Sequence, residues 1–112
     1  MGIPAIHYMV AAGGGPNIRC APYATFGTQE LAENAVTALK NRSCCLLAHH
    51  GVIATGSSLS KALWLASEVE TIAKQYILIL STGQKPKLLS DAEIERVRTK
   101  MSGYGLKTAK TS

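Results

Sequence analysis

The run Cys44-Cys45-Leu46-Leu47-Ala48-His49-His50-Gly51-Val52-Ile53-Ala54-Thr55 decides the fold. Cys44 to His49 is a short apolar run, of the length of a buried strand rather than a helix. Gly51 turns or bulges it, and Val52 to Thr55 continues as a second strand. Successive strand side chains point to opposite faces, so only one of His49 and His50 can face a given site.

Helices flank this strand pair. Upstream, Thr28 is a good N-cap. Leu31, Ala35, Val36 and Leu39 come after it at helical spacing, ending near Asn41. Downstream, Gly56-Ser57-Ser58 turns the chain, and either serine can cap the next helix. Leu59, Ala62, Leu63, Ala66, Val69, Ala73, Tyr76, Ile77 and Leu80 form one long apolar stripe, widened by Trp64 and Leu65. That helix runs to about Ser81. Ser90-Asp91-Ala92-Glu93 is a capping box for a last helix, which stops at Gly103-Tyr104-Gly105. Nearer the start, Ala5 to Val10 reads as a strand already in progress, Gly13 to Pro16 as a loop, and Ile18 to Ala21 as a short strand stopped by Pro22. The order is strand, strand, helix, strand pair, helix, helix. That predicts an α/β or α+β layered domain.

The bulk numbers agree with one small domain. The chain has 112 residues, 46% of them apolar and only 5% aromatic, so its core is aliphatic. The net charge is +5, and Lys85, Lys87, Arg96, Arg98, Lys100, Lys107 and Lys110 crowd the last quarter. No aromatic interleaving or nucleic-acid motif accompanies them, so they read as a solvated helix face and a basic tail. Cys20, Cys44 and Cys45 are an odd count with two adjacent, a poor disulfide framework, and fit a reducing cytoplasm. Cys44 and Cys45 precede Leu46 and Leu47, which predicts burial as small hydrophobes. The start has no charged segment of a signal peptide, and no apolar run reaches the ~18 residues that span a membrane.

Three places could carry chemistry. Imidazole is a preferred zinc ligand, but zinc takes three or four protein ligands, and beyond His49 and His50 the only other histidine is His7. The residues alone therefore leave His50 between ligand and structural residue. Tyr8 could serve as a general acid or cap a strand surface. Tyr104, between two glycines, could close over a ligand or dock as a tail aromatic.

Five ordered blocks then carry a resemblance: Ile3-Pro4-Ala5-Ile6-His7-Tyr8-Met9, Cys20-Ala21-Pro22-Tyr23-Ala24-Thr25-Phe26-Gly27-Thr28, Leu46 to Gly51, Lys61-Ala62-Leu63-Trp64-Leu65-Ala66 and Leu89-Ser90-Asp91. From Ile3 to about Leu106 the chain resembles the class II aldolase/adducin family, on its fuculose-phosphate aldolase branch. The resemblance implies a three-layer α-β-α fold with a mostly antiparallel central sheet, of which residues 1–106 are the C-terminal half and 107–112 a disordered basic tail. It also implies a homotetramer with active sites at subunit interfaces. Zinc in the family is held by three histidines. His50 matches the last of them, and the others belong to an HxH motif preceding the first block. Tyr8 matches a tyrosine that reaches a neighbouring subunit's site, Phe26 an aromatic of that pocket, and Tyr104 a tyrosine that closes it. The implied reaction is reversible cleavage of L-fuculose 1-phosphate to dihydroxyacetone phosphate and L-lactaldehyde. The HxH, the glutamate base and the phosphate loops are not among these residues. The expectation is that the 112-residue chain alone is inactive and binds zinc weakly. An adducin-like association module and a related sugar-phosphate aldolase or epimerase are the competing readings. A sugar phosphate is the expected partner, with neither nucleic acid nor membrane.

Overall fold

The computed structural model describes the backbone of residues 2–111 and the side chains of residues 2–102. Four short strands form one sheet in the order β1 (Gly2–Ile3), β2 (Ile18–Ala21), β3 (Cys44–Leu47) and β4 (Gly51–Ala54). β1 and β2 are antiparallel, β2 and β3 parallel, and β3 and β4 antiparallel. The parallel step needs a crossover, and α1 (Gln29–Ala38) supplies it. The antiparallel step is a hairpin that pairs Cys44 with Ala54 and Leu47 with Gly51. The sheet is thus mixed, with two of its three pairings antiparallel.

Both faces are covered. On one, α1 lies over β2 and β3, and Ala21, Ala38 and Cys45 form a small core. On the other, α2 (Leu59–Leu80) and α3 (Asp91–Thr111) enclose the larger core of Ile3, Val10, Ile18, Cys44, Leu65, Val69, Ile72 and Ile94. The caps are where the sequence places them. Thr28 Oγ1 accepts from the Leu31 N–H at 3.3 Å, Ser58 Oγ from Lys61 at 3.2 Å, and Ser90 Oγ from Glu93 at 3.1 Å.

Four expectations are corrected. Ala5 to Val10 is not a strand: Tyr8–Gly13 is a 3₁₀ helix. Its start is set by His7, whose Nδ1 accepts the Met9 N–H at 3.0 Å, and its end by Gly14 at φ 99°, whose N–H reaches the Ala11 carbonyl. The Ala5 carbonyl accepts from the Leu89 N–H at 2.9 Å, so a helix linker takes the place of a sheet neighbour. Second, β3 ends at Leu47, and Ala48 to His50 form the hairpin turn. The alternation of strand faces therefore does not govern the two histidines.

Third, the α2 stripe is buried only in its middle, at Leu65, Val69 and Ile72, while Leu59, Leu63, Ile77 and Leu80 are exposed. A helix of 22 residues is about 33 Å long, whereas a strand of four spans about 13 Å. The sheet is too narrow to cover it. Fourth, α3 continues past Gly103 to Thr111, because Gly103 and Gly105 each weaken a helix by about 1 kcal/mol without forbidding it. Tyr104 and the 107–112 tail lie outside the residues whose side chains are described.

Candidate active site

The β3–β4 turn is built by backbone bonds. The Ala48 N–H donates to the Ala21 carbonyl at 3.1 Å and the His50 N–H to the Leu47 carbonyl at 3.0 Å. His49 takes a left-handed φ of 57°, which few residues with a Cβ adopt. Gly51 leaves the space beyond the turn open, since a Cβ there would meet nothing within 4 Å. Both imidazoles stand exposed on the turn.

The loop after β2 lies beside it. Ala24 is buried and anchors the loop, while Tyr23 and Phe26 are exposed, Phe26 by 80%. Asn34 Nδ2 donates to the Pro22 carbonyl at 3.3 Å, and the Thr28 hydroxyl donates to the Thr25 carbonyl at 2.6 Å. These bonds tie both ends of the loop to α1. Gly27, at φ 77°, supplies the left-handed turn that carries the chain from Phe26 into the helix. The Tyr23 ring meets the His49 ring at right angles, with centroids 5.8 Å apart. Sequence reasoning missed this pair, although Tyr23 stands inside one of the five blocks.

Tyr8 opens the 3₁₀ helix, half exposed, with its ring stacked on His7 at 4.6 Å. One pair of groups thus comes together within the chain: the His50 turn and the Phe26 loop, joined through Tyr23 and His49. Tyr8 stays on its own element. Two clefts of about 750 and 810 Å³ lie elsewhere, and neither is lined by Tyr8, Phe26 or His50.

The buried thiols of Cys44 and Cys45 play no part. Burial, reinforced by Cys45, pushes the Cys44 thiol up to about 11. Burial, reinforced by Cys20, also raises Cys45. Both stay protonated near neutral pH, and a thiol binds metal or attacks carbon as the thiolate. Among the described residues no group of three or more His, Cys, Asp or Glu could hold a metal ion. The exposed imidazoles of His49 and His50 are two ligands at most, too few for a closed zinc centre. What His50 offers is an accessible ligand on a turn held by backbone bonds.

Residues 1–77 match the sequence model described as the Class II Aldolase and Adducin N-terminal domain. The L-fuculose phosphate aldolase of Escherichia coli strain K12 is 56% identical over 105 residues, 94% of this chain and 49% of that protein. The 5-methylthioribulose-1-phosphate/5-deoxyribulose-1-phosphate aldolase of Rhodospirillum rubrum is 52% identical over 103 residues, 92% of this chain and 46% of that protein. A solved L-fuculose 1-phosphate aldolase superposes with a TM-score of 0.84 at 43% identity, over 89% of this chain and 46% of that one. The chain spans about half the length of the curated relatives it matches.

Proposed function

The chain belongs to the class II aldolase and adducin family and has that family's fold, and from this premise we propose that it works as part of a zinc-dependent sugar-phosphate aldolase, cleaving L-fuculose 1-phosphate to dihydroxyacetone phosphate and L-lactaldehyde. The observation that carries the reading is the exposed His50 on a hairpin turn whose backbone is fixed from both sides. An imidazole so placed is accessible to an ion.

In this reading His50 is one zinc ligand, and the remaining ligands and the base come from residues outside these 112. Zinc, when held, polarises the ketose oxygens as a Lewis acid. The chain's own groups do the rest. Tyr8 presents its phenol to the site of a neighbouring subunit and gives or holds the proton at the aldehyde oxygen. Its half exposure and its seat on His7 suit a group that reaches across an interface. Phe26, exposed on its loop, walls the pocket against water. Tyr104 closes it. The assembly is a homotetramer in the cytoplasm, and this chain by itself is inactive.

The test is complementation. The chain is mixed with the N-terminal half of an L-fuculose phosphate aldolase, and dihydroxyacetone phosphate release is followed from L-fuculose 1-phosphate. Methylthioribulose 1-phosphate and deoxyribulose 1-phosphate run as competitors, because relatives named for those substrates are 52% and 45% identical. Zinc-dependent release that His50→Ala abolishes supports the reading. Release from this chain alone, or none from the mixture while it forms a stable complex, would overturn it.

A further inference from the structure

The turn that carries His50 is strained, and something must hold it. His49 sits at φ 57°, a conformation that costs a residue with a Cβ and persists only where the surroundings impose it. Two backbone bonds fix Ala48 and the His50 N–H, but neither constrains the His49 side chain. The one described aromatic group against that side chain is Tyr23. Tyr23 is itself held on a rigid support. Pro22 fixes the preceding φ, its carbonyl is bonded to Asn34, and Ala24 on the other side is buried at 5% exposure.

We propose that Tyr23 and His49 form a clasp that sets the direction of the His50 imidazole, making both of them positioning residues for the active site. The right-angled arrangement at 5.8 Å is the favourable edge contact of two rings. It rewards His49 for staying left-handed. Without it, His49 relaxes to negative φ, the peptide between His49 and His50 rotates, and the His50 ring swings away. The space beyond Gly51 is open, so no neighbour there resists that rotation. The Tyr23 hydroxyl is not needed for the contact, only the ring. The inference rests on reading His50 as an active-site group, yet the clasp has its own readout.

Amide hydrogen exchange on the intact 112-residue chain tests it directly. Tyr23→Ala raises exchange at the His50 amide about tenfold, the size expected for loss of one aromatic pair. The amides of Cys45 and Leu46 keep their rates, and Tyr23→Phe stays within about twofold of the parent. In the complemented enzyme, Tyr23→Ala lowers kcat by about tenfold or more with KM little changed, because a ligand displaced by about 1 Å loses the transition state rather than the substrate. An unchanged His50 amide, an equal rise across all of β3, or a Tyr23→Phe variant as impaired as Tyr23→Ala would overturn the clasp. If the parent mixture shows no activity, the aldolase reading fails, while the exchange rates still decide the clasp.

Discussion

Cys44 and Cys45 are neighbours in the chain but belong to different cores: Cys44 joins Ile18, Leu65 and Ile94 beneath α2, and Cys45 joins Ala21 and Ala38 beneath α1. One strand thereby pins both layers. The thiol of Cys44 lies well above its ordinary value, at about 11 against 9.0, chiefly through burial. A raised thiol stabilises the folded chain below the unfolded value, and the contribution is lost as pH rises through the folded one. Stability is therefore expected to hold up to pH 9 and to fall between pH 9 and 11, by at most about 2 kcal/mol from this group. Urea unfolding across that range checks it against Cys44→Val, which cannot ionise and should fall less. Parallel curves for the two proteins would remove the thiol from the account.

Thr28 couples the α1 cap to the Phe26 loop. Its hydroxyl oxygen accepts from Leu31 and its proton goes to Thr25. Thr28→Ala is expected to cost about 1 kcal/mol, lowering the melting temperature by roughly 4–8 °C. It should also broaden the Phe26 resonances. Thr28→Ser keeps the hydroxyl and most of the stability. Thermal melts of the two variants, with Phe26 spectra alongside, decide whether the cap and the loop move together.

Much of this fold was legible in the sequence, and the misses have physical causes. Thr28, Ser58 and Ser90 mark helix starts because a side-chain oxygen meets an orphan N–H two or three residues on, a wholly local event. The 3₁₀ helix at Tyr8 was not legible. It depends on Nδ1 of His7 acting as a cap and on Leu89, far along the chain, taking the Ala5 carbonyl. The left-handed His49 has no spacing signature either, and a run of apolar residues simply extends the strand through it. The exposed ends of α2 escape periodicity for another reason: a stripe shows which face is apolar, not how wide its partner sheet is. At the site, residue chemistry left His50 and Tyr8 open, and only the five-block resemblance singled out Phe26. Tyr23 and His49 meet across a crossover that no local pattern encodes.

Two glycines should respond to alanine for different reasons. At Gly56 a Cβ would stand 2.8 Å from the Ala62 nitrogen and 3.1 Å from the Lys61 carbonyl carbon. Both belong to the first turn of α2, which cannot yield without breaking its hydrogen bonds. Gly56→Ala should cost about 1–3 kcal/mol, as overpacking does. Gly27 has nothing within 4 Å but sits at φ 77°. Gly27→Ala should cost only the left-handed penalty, about 1–2 kcal/mol, and shift the Phe26 loop. Equilibrium unfolding ranks them. A larger loss at Gly27 than at Gly56 would contradict the packing at the head of α2.

Zinc titration separates His50 from His7. His7 already spends Nδ1 on the Met9 N–H and stacks on Tyr8, whereas His50 is exposed on its turn. The chain alone is expected to bind Zn²⁺ no tighter than about 10 μM, far short of a structural site. His50→Ala should remove most of that binding and His7→Ala little of it, by calorimetry at neutral pH. Nanomolar binding by the chain alone would mean that a ligand set assembles without outside residues.

The outer surface of α2 sets the last expectation. Leu59, Leu63 and Ile77 fall on one stripe of the helix, and they are exposed by 91%, 69% and 65%. Glu70 and Lys74 lie on the same stripe between them, so the face is apolar at both ends and charged in the middle. Large side chains in water at that density favour association, and each Leu or Ile fully covered contributes about 1.5–3 kcal/mol. The chain should therefore self-associate, with a melting temperature that climbs as concentration rises. Light scattering over a hundredfold range of concentration should show species above the monomer. Leu63→Lys with Ile77→Lys should shift the mixture toward monomer while leaving the core residues Leu65, Val69 and Ile72 in place. If the parent instead stays monomeric at the highest concentration, or the double variant associates as strongly, the outer stripe of α2 is not what drives assembly.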